Sequence, residues 1–197
     1  MRITGGQHRS RTLSAPRGDA TRPTSDRVRE ALFGILGSGM ELAGARVLDL
    51  YAGTGALAFE ALSRGAAHAT LVESSGAAVQ AIDANTRSLG LASRVRLLRA
   101  PVERTGALLA VTGPYDLVFA DPPYAQVTSG ETSRVLSALL VAPLLTPGAR
   151  LVLEHGKADE PPAFQGFVLA ESRRYGDTVL SFFTRDAPAP TRAPAEA

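Results

Sequence analysis

The 197-residue sequence has no cysteine, which excludes disulfides and thiolate metal sites. Histidine is nearly as scarce. His8, His68 and His155 lie far apart without ligand-like spacing, so no metal is expected. Lysine is rarer still, Lys157 being the single one among 21 basic residues. No apolar run approaches the ~20 residues that a membrane span requires, and the opening residues carry no signal-peptide h-region. A cytoplasmic protein without membrane partners is expected. With 45% apolar and 20% charged residues, the composition is that of a globular chain with one core.

The charge that is present lies unevenly. Residues 1–30 hold seven arginines against Asp19, Asp26 and Glu30, a balance of +4, while the whole chain carries +2 and the remainder therefore −2. An arginine-rich leading segment on a near-neutral body is the electrostatic footprint of a phosphate-binding edge.

From about residue 46 onward, strand-like and helix-like segments alternate. RVLDLYA, HATLVES, RVRLLRA, YDLVFAD and ARLVLEH read as strands, with helices over ALAFEALSR, closed by Gly65, and AAVQAIDANTRSLG, closed by Gly90. This alternation predicts an α/β fold: a doubly wound, mostly parallel sheet whose strand carboxyl ends share one edge. FVLAESRRYGDTVLSFFTR reads as a hairpin, so the sheet should finish with an antiparallel strand. Ahead of this body, residues 1–22 form a basic extension, expected as a small β-hairpin through Gly5-Gly6. A helix follows over SDRVREALFGILG, N-capped by Ser25 or Thr24, with Val28, Leu32, Ile35 and Leu36 as its apolar stripe. The main domain is expected over 23–185, and the Pro- and Ala-rich 186–197 as a disordered tail.

Two stretches carry chemistry. In VLDLYAGTGALAFEAL, Gly53 and Gly55 follow a buried strand and open a helix, allowing close approach of backbone to a ligand. Glu73 ends the next strand, where a carboxylate can accept hydrogen bonds from both ribose hydroxyls of a nucleoside. The pattern Gly53-Thr54-Gly55-Ala56-Leu57-Ala58 also satisfies a loose dinucleotide fingerprint, which leaves a nicotinamide oxidoreductase open. Asp49 favours a different cofactor. A carboxylate there repels a pyrophosphate but suits the ammonium of S-adenosylmethionine.

The second stretch is ADPPY. Asp121 places a carboxylate at the carboxyl end of a strand buried on both faces, and Pro122 and Pro123 stiffen the turn after it. An aromatic amine is a poor nucleophile because its lone pair is delocalised into the ring. A carboxylate and a backbone carbonyl accepting its two N–H bonds localise that pair, and Tyr124 can stack on a flipped base.

With RITGGQHRSRTL, TRPTSDRVREALFGIL, LDLYAGTGALAFEALSRGA, LVES and ADPPY, the chain resembles the class I amino-group methyltransferases, and more closely the bacterial 16S rRNA (guanine(966)-N(2))-methyltransferase family. The resemblance covers residues 1 to about 185 and implies a seven-stranded sheet. It implies that Asp49, Gly53, Gly55 and Glu73 contact S-adenosylmethionine, and that Asp121, Pro122, Pro123 and Tyr124 hold the guanine N2 amine. It further implies that the leading arginines grip 16S rRNA within a small-subunit particle, with Arg9, Arg11, Arg22, Thr24 and Arg27 as candidates in a monomeric enzyme. One departure stands out: no acid follows the third strand directly, so the adenine contact passes to backbone near Ala100, with Glu103 in doubt. Glu154 and His155 are expected to cap the end of the fifth strand, at the border of the substrate pocket. DPPY also occurs in adenine-N6 methyltransferases, which remain an alternative, as does a non-catalytic RNA-binding protein.

Overall fold

Short runs of fully apolar residues become the central strands because helices cover both of their faces. A computed structural model describes residues 1–16, 25–141 and 143–185. Five strands run parallel: β1 (Arg46–Leu50), β2 (His68–Glu73), β3 (Val95–Arg99), β4 (Tyr115–Ala120) and β5 (Leu145–Gly156). With β6 (Phe167–Tyr175) and β7 (Thr178–Arg185) they form a seven-stranded sheet ordered β3-β2-β1-β4-β5-β7-β6. The last strand in sequence, β7, is antiparallel to both neighbours and lies inside the sheet, so that β6 holds the edge. The strand order reverses between β1 and β4, the switch point where open α/β sheets bind ligands.

The helices are α1 (Asp26–Gly39), α2 (Ala56–Ser63), α3 (Gly76–Leu89), α4 (Gly106–Ala110), α5 (Tyr124–Thr128) and α6 (Glu131–Leu139). Side chains of period two separate the core into two layers. Val47, Leu117, Phe119 and Val152 pack against Leu32, Phe33, Phe59 and Ile82 of α1, α2 and α3. Leu48, Leu50, Val118 and Leu151 pack against Leu109 of α4 and Leu136 of α6.

At α1, Ser25 is the N-cap, its Oγ accepting from the Val28 N–H at 3.3 Å. Leu32 and Leu36 are buried as the stripe predicts, but so is Arg29, whose guanidinium donates to the Arg2 carbonyl at 2.6 Å and to Asp26 at 2.7 Å. Thr24 and Arg22, the 22/23 boundary and the tail at 186–197 lie outside the described residues.

The amino-terminal segment corrects one expectation. Instead of two strands joined through Gly5-Gly6, it makes a single antiparallel bridge, Arg2 to Thr12, around a wide loop. Around that bridge the arms still pair, the Ile3 N–H donating to the Arg11 carbonyl at 3.0 Å and the Leu13 N–H to the Met1 carbonyl at 3.1 Å, but the donors of the loop between them turn to α2. The fully buried Glu60 carboxylate accepts from the Thr4 N–H (2.7 Å), the Thr4 hydroxyl (2.8 Å), the Gly5 N–H (2.8 Å) and Arg64 (2.8 Å). Asn85 of α3 fastens the other end, accepting from the Ser14 N–H at 2.7 Å and donating to the Ser14 and Thr54 carbonyls. Main-chain donors satisfied this way need no strand partner.

Candidate active site

The carboxyl ends of β1, β2 and β4 open into a cleft of about 620 Å³, a size suited to a small-molecule ligand. Asp49, Gly53, Glu73, Ala100, Asp121 and Tyr124 all line it, together with Pro122 and Pro123. A smaller hollow of about 270 Å³ at the opposite edge, around Arg46, His68 and Arg96, holds none of the predicted site residues.

The loop after β1 is built from left-handed backbone. Tyr51 (φ 61°), Gly53 (φ 55°) and Gly55 (φ 77°) all take positive φ. A tyrosine there stores strain of about 1–3 kcal/mol. No sequence motif singles out Tyr51, yet it lines the cleft. Its hydroxyl is pushed up to about 12 by burial and by the charges of Glu103 and Glu131. The two glycines have different reasons. A Cβ on Gly53 would meet open space, whereas one on Gly55 would lie 2.6 Å from the Phe59 ring and 2.8 Å from Leu71. Gly55, expected at the cofactor, does not line the cleft; it is needed so that α2 can pack on β2.

Glu73 is the loop's fastener. One carboxylate oxygen accepts from the Gly53 N–H at 2.7 Å, the other from the Ser74 and Ser75 N–H at 2.8 and 2.7 Å. A carboxylate offers about four acceptor positions, so room remains for about one ribose hydroxyl where two were expected. Asp49 is 2% exposed and accepts from the Ala58 N–H of α2 at 3.1 Å. Burial, reinforced by the charge of Glu73, raises its carboxyl well above the usual carboxylate range.

Asp121 sits one residue past the end of β4. Burial first, then the charges of Glu154 and Asp49, raises its carboxyl well above the ordinary value, although the residue keeps some exposure through the cleft. Pro123 is the N-cap of α5, and its carbonyl accepts from the Gln126 N–H at 2.9 Å. Tyr124 opens α5 and is 38% exposed. Its hydroxyl lies 3.1 Å from that of Thr178, and a Cβ on Gly156 would stand 3.4 Å from its ring. The ring is thus clasped to the ends of β5 and β7. Strand alternation separates the two residues expected to cap β5. His155 is fully buried and bonds the Ser181 hydroxyl at 2.8 Å, whereas Glu154 lines the cleft.

Among the described residues, five acidic side chains line the cleft (Asp49, Glu73, Glu103, Asp121 and Glu154), and no arginine, lysine or histidine does. Such a lining suits a cationic ligand and opposes a pyrophosphate. The described residues contain no cluster of three or more His, Cys, Asp or Glu side chains able to hold a metal ion. None of their helices is long and apolar enough to cross a membrane. The predicted arginines that fall among the described residues do not line the cleft. Arg9, Arg11 and Arg27 are exposed, and Arg11 already donates to the Ser88 carbonyl at the end of α3, at 2.8 Å.

Known proteins resemble this chain in sequence and in fold. The Bacillus subtilis (strain 168) protein YlbH is 32% identical over 188 residues, 94% of this chain and 99% of its own length. Ribosomal RNA small subunit methyltransferase D of Escherichia coli (strain K12) is 42% identical over 137 residues, 69% of this chain and 66% of its own length. The solved structure of the Escherichia coli protein yhhF superposes with a TM-score of 0.78 at 35% identity, covering 95% of this chain and 99% of that one. The family model described as Conserved hypothetical protein 95 matches residues 1–184, and the chain belongs to that family.

Proposed function

We propose that this protein transfers a methyl group from S-adenosylmethionine to the exocyclic N2 amine of a guanine in small-subunit ribosomal RNA, in the bacterial cytoplasm. The observation that carries the reading is the cleft itself, which is lined by acids, free of cationic side chains among the described residues, and opens at the switch point of the sheet. A nicotinamide dinucleotide would bring a pyrophosphate into that lining. S-adenosylmethionine brings a sulfonium and an ammonium, and when bound supplies an electrophilic methyl group. The 42% identity to a protein named Ribosomal RNA small subunit methyltransferase D supports the RNA substrate.

The chain's own residues then divide the work. Asp49 faces the ammonium, Glu73 takes a ribose hydroxyl, and the open space beside Gly53 admits the nucleoside against backbone. Asp121 accepts one N–H of the target amine. Pro123 has committed its carbonyl to α5, so the Pro122 carbonyl serves the second N–H. Those two acceptors turn the amine's lone pair out of conjugation and aim it at the methyl, so catalysis comes mainly from positioning. The raised carboxyl of Asp121 also makes it a ready receiver for the proton that the methylated amine sheds. Tyr124 stacks on the flipped base, and Arg9, Arg11 and Arg27 contact phosphates outside the cleft.

The test is incubation with labelled S-adenosylmethionine and small-subunit rRNA lacking its native methylation, followed by digestion to nucleosides. N2-methylguanosine is expected. N6-methyladenosine, or no labelled nucleoside, would refute the reading.

A further inference from the structure

The β4–β5 register ends by pairing Ala120 with Leu153, and the next residue along each chain is acidic: Asp121, just past the end of β4, and Glu154, within β5. Paired residues of parallel strands project to the same face. Two carboxylates therefore leave the sheet side by side, and both line the cleft that Tyr124 borders. Glu154 is 7% exposed. Placing a buried acid against a second acid is unfavourable, and departures of this kind concentrate where function demands them. Methyl-transfer chemistry itself accounts for Asp121 alone.

Base chemistry supplies a reason for the second acid. Among adenine, cytosine and guanine, the exocyclic amine of guanine differs from the other two in its ring neighbour on the Watson–Crick edge. Adenine N6 and cytosine N4 sit beside a bare acceptor nitrogen. Guanine N2 sits beside N1–H, a donor that points the same way. A carboxylate next to the amine's own acceptor takes that N1–H and repels the lone pair that adenine or cytosine would present. From the paired register we infer that Glu154 selects guanine by accepting the ring N1–H while Asp121 holds the neighbouring N2 amine. This rests on the guanine-N2 reading above and adds to it the residue that sets the base.

The experiment compares two versions of one small-subunit rRNA fragment, with guanine or 2-aminopurine at the acceptor position. 2-Aminopurine keeps the amine but presents a bare N1. Wild-type protein is expected to favour guanine by roughly 10- to 100-fold in kcat/KM. In E154Q, whose amide can donate to a bare N1, the preference should shrink below about 10-fold, while S-adenosylmethionine binding stays close to wild type and Tm at pH 7–8 does not fall. An E154Q ratio equal to wild type would overturn the inference. So would a wild-type enzyme that accepts 2-aminopurine as well as guanine, a result that needs no variant to fold. Wild type that methylates neither fragment would instead overturn the guanine-N2 reading, and the inference with it.

Discussion

The hydroxyls of Tyr124 and Thr178 lie 3.1 Å apart, joining the start of α5 to the start of β7. This contact alters what a tyrosine substitution should do. If Tyr124 only stacked on a base, phenylalanine would serve as well. Because its hydroxyl also holds the ring in place, Tyr124→Phe should lose about 0.5–1.5 kcal/mol of transition-state stabilisation, the net worth of one neutral hydrogen bond. Thr178→Val should lose as much, and the double mutant no more than either. Tyr124→Ala should lose about 1–3 kcal/mol through the missing stack. Single-turnover methyl transfer measures all four, and strict additivity of the two hydroxyl deletions would disprove the clasp.

Asp121 should trade stability for activity. Its folded carboxyl titrates above the unfolded one, so the folded state holds the proton more tightly. Stability therefore falls as pH rises from the ordinary carboxylate range to the raised folded value, and the full penalty persists above it. Asp121→Asn should raise Tm at pH 7–8 and do so less at pH 4, while methyl transfer falls by about 10²-fold. A lower Tm in the variant at neutral pH would contradict this sign.

Glu73 has two tasks that a cofactor titration alone would merge. Its loss strands three N–H groups, those of Gly53, Ser74 and Ser75, at about 1–3 kcal/mol for each one without a partner or water. Glu73→Ala should therefore lower Tm as well as S-adenosylmethionine affinity. Asp49→Asn should weaken cofactor binding and leave NAD unbound. Calorimetry with both cofactors, beside thermal melts, separates the effects; unchanged S-adenosylmethionine binding in both variants would remove the cofactor assignment.

The exposed arginines should differ among themselves. Removing one phosphate-binding charge flattens the log–log salt dependence of RNA binding by roughly 0.7–0.9. Neutralising Arg9 or Arg27 should give a full step, and neutralising Arg11 less, because its guanidinium already serves the Ser88 carbonyl. Filter binding across a salt series reads the slopes; equal slopes for wild type and the triple variant would mean that these side chains are merely solvated.

Much of this protein is legible in one dimension. Alternating strand and helix signals specify the parallel α/β sheet, since burial on both faces demands uniformly apolar strands such as Leu117–Ala120. Asp49, Glu73 and Asp121 are readable too, because strand ends in such a sheet share an edge and an acid there has no role in the core. Tertiary structure decided what rests on side chains far apart in sequence. The amino-terminal segment is a wide bridged loop because the buried Glu60, 56 residues from Thr4, takes the Thr4 and Gly5 N–H groups. Gly55 serves packing because Phe59 and Leu71 close on it. Glu154 joins Asp121 only through the β4–β5 register. Local pattern carries which face a residue takes along its own strand, but neighbouring strands set which chemical group stands beside it.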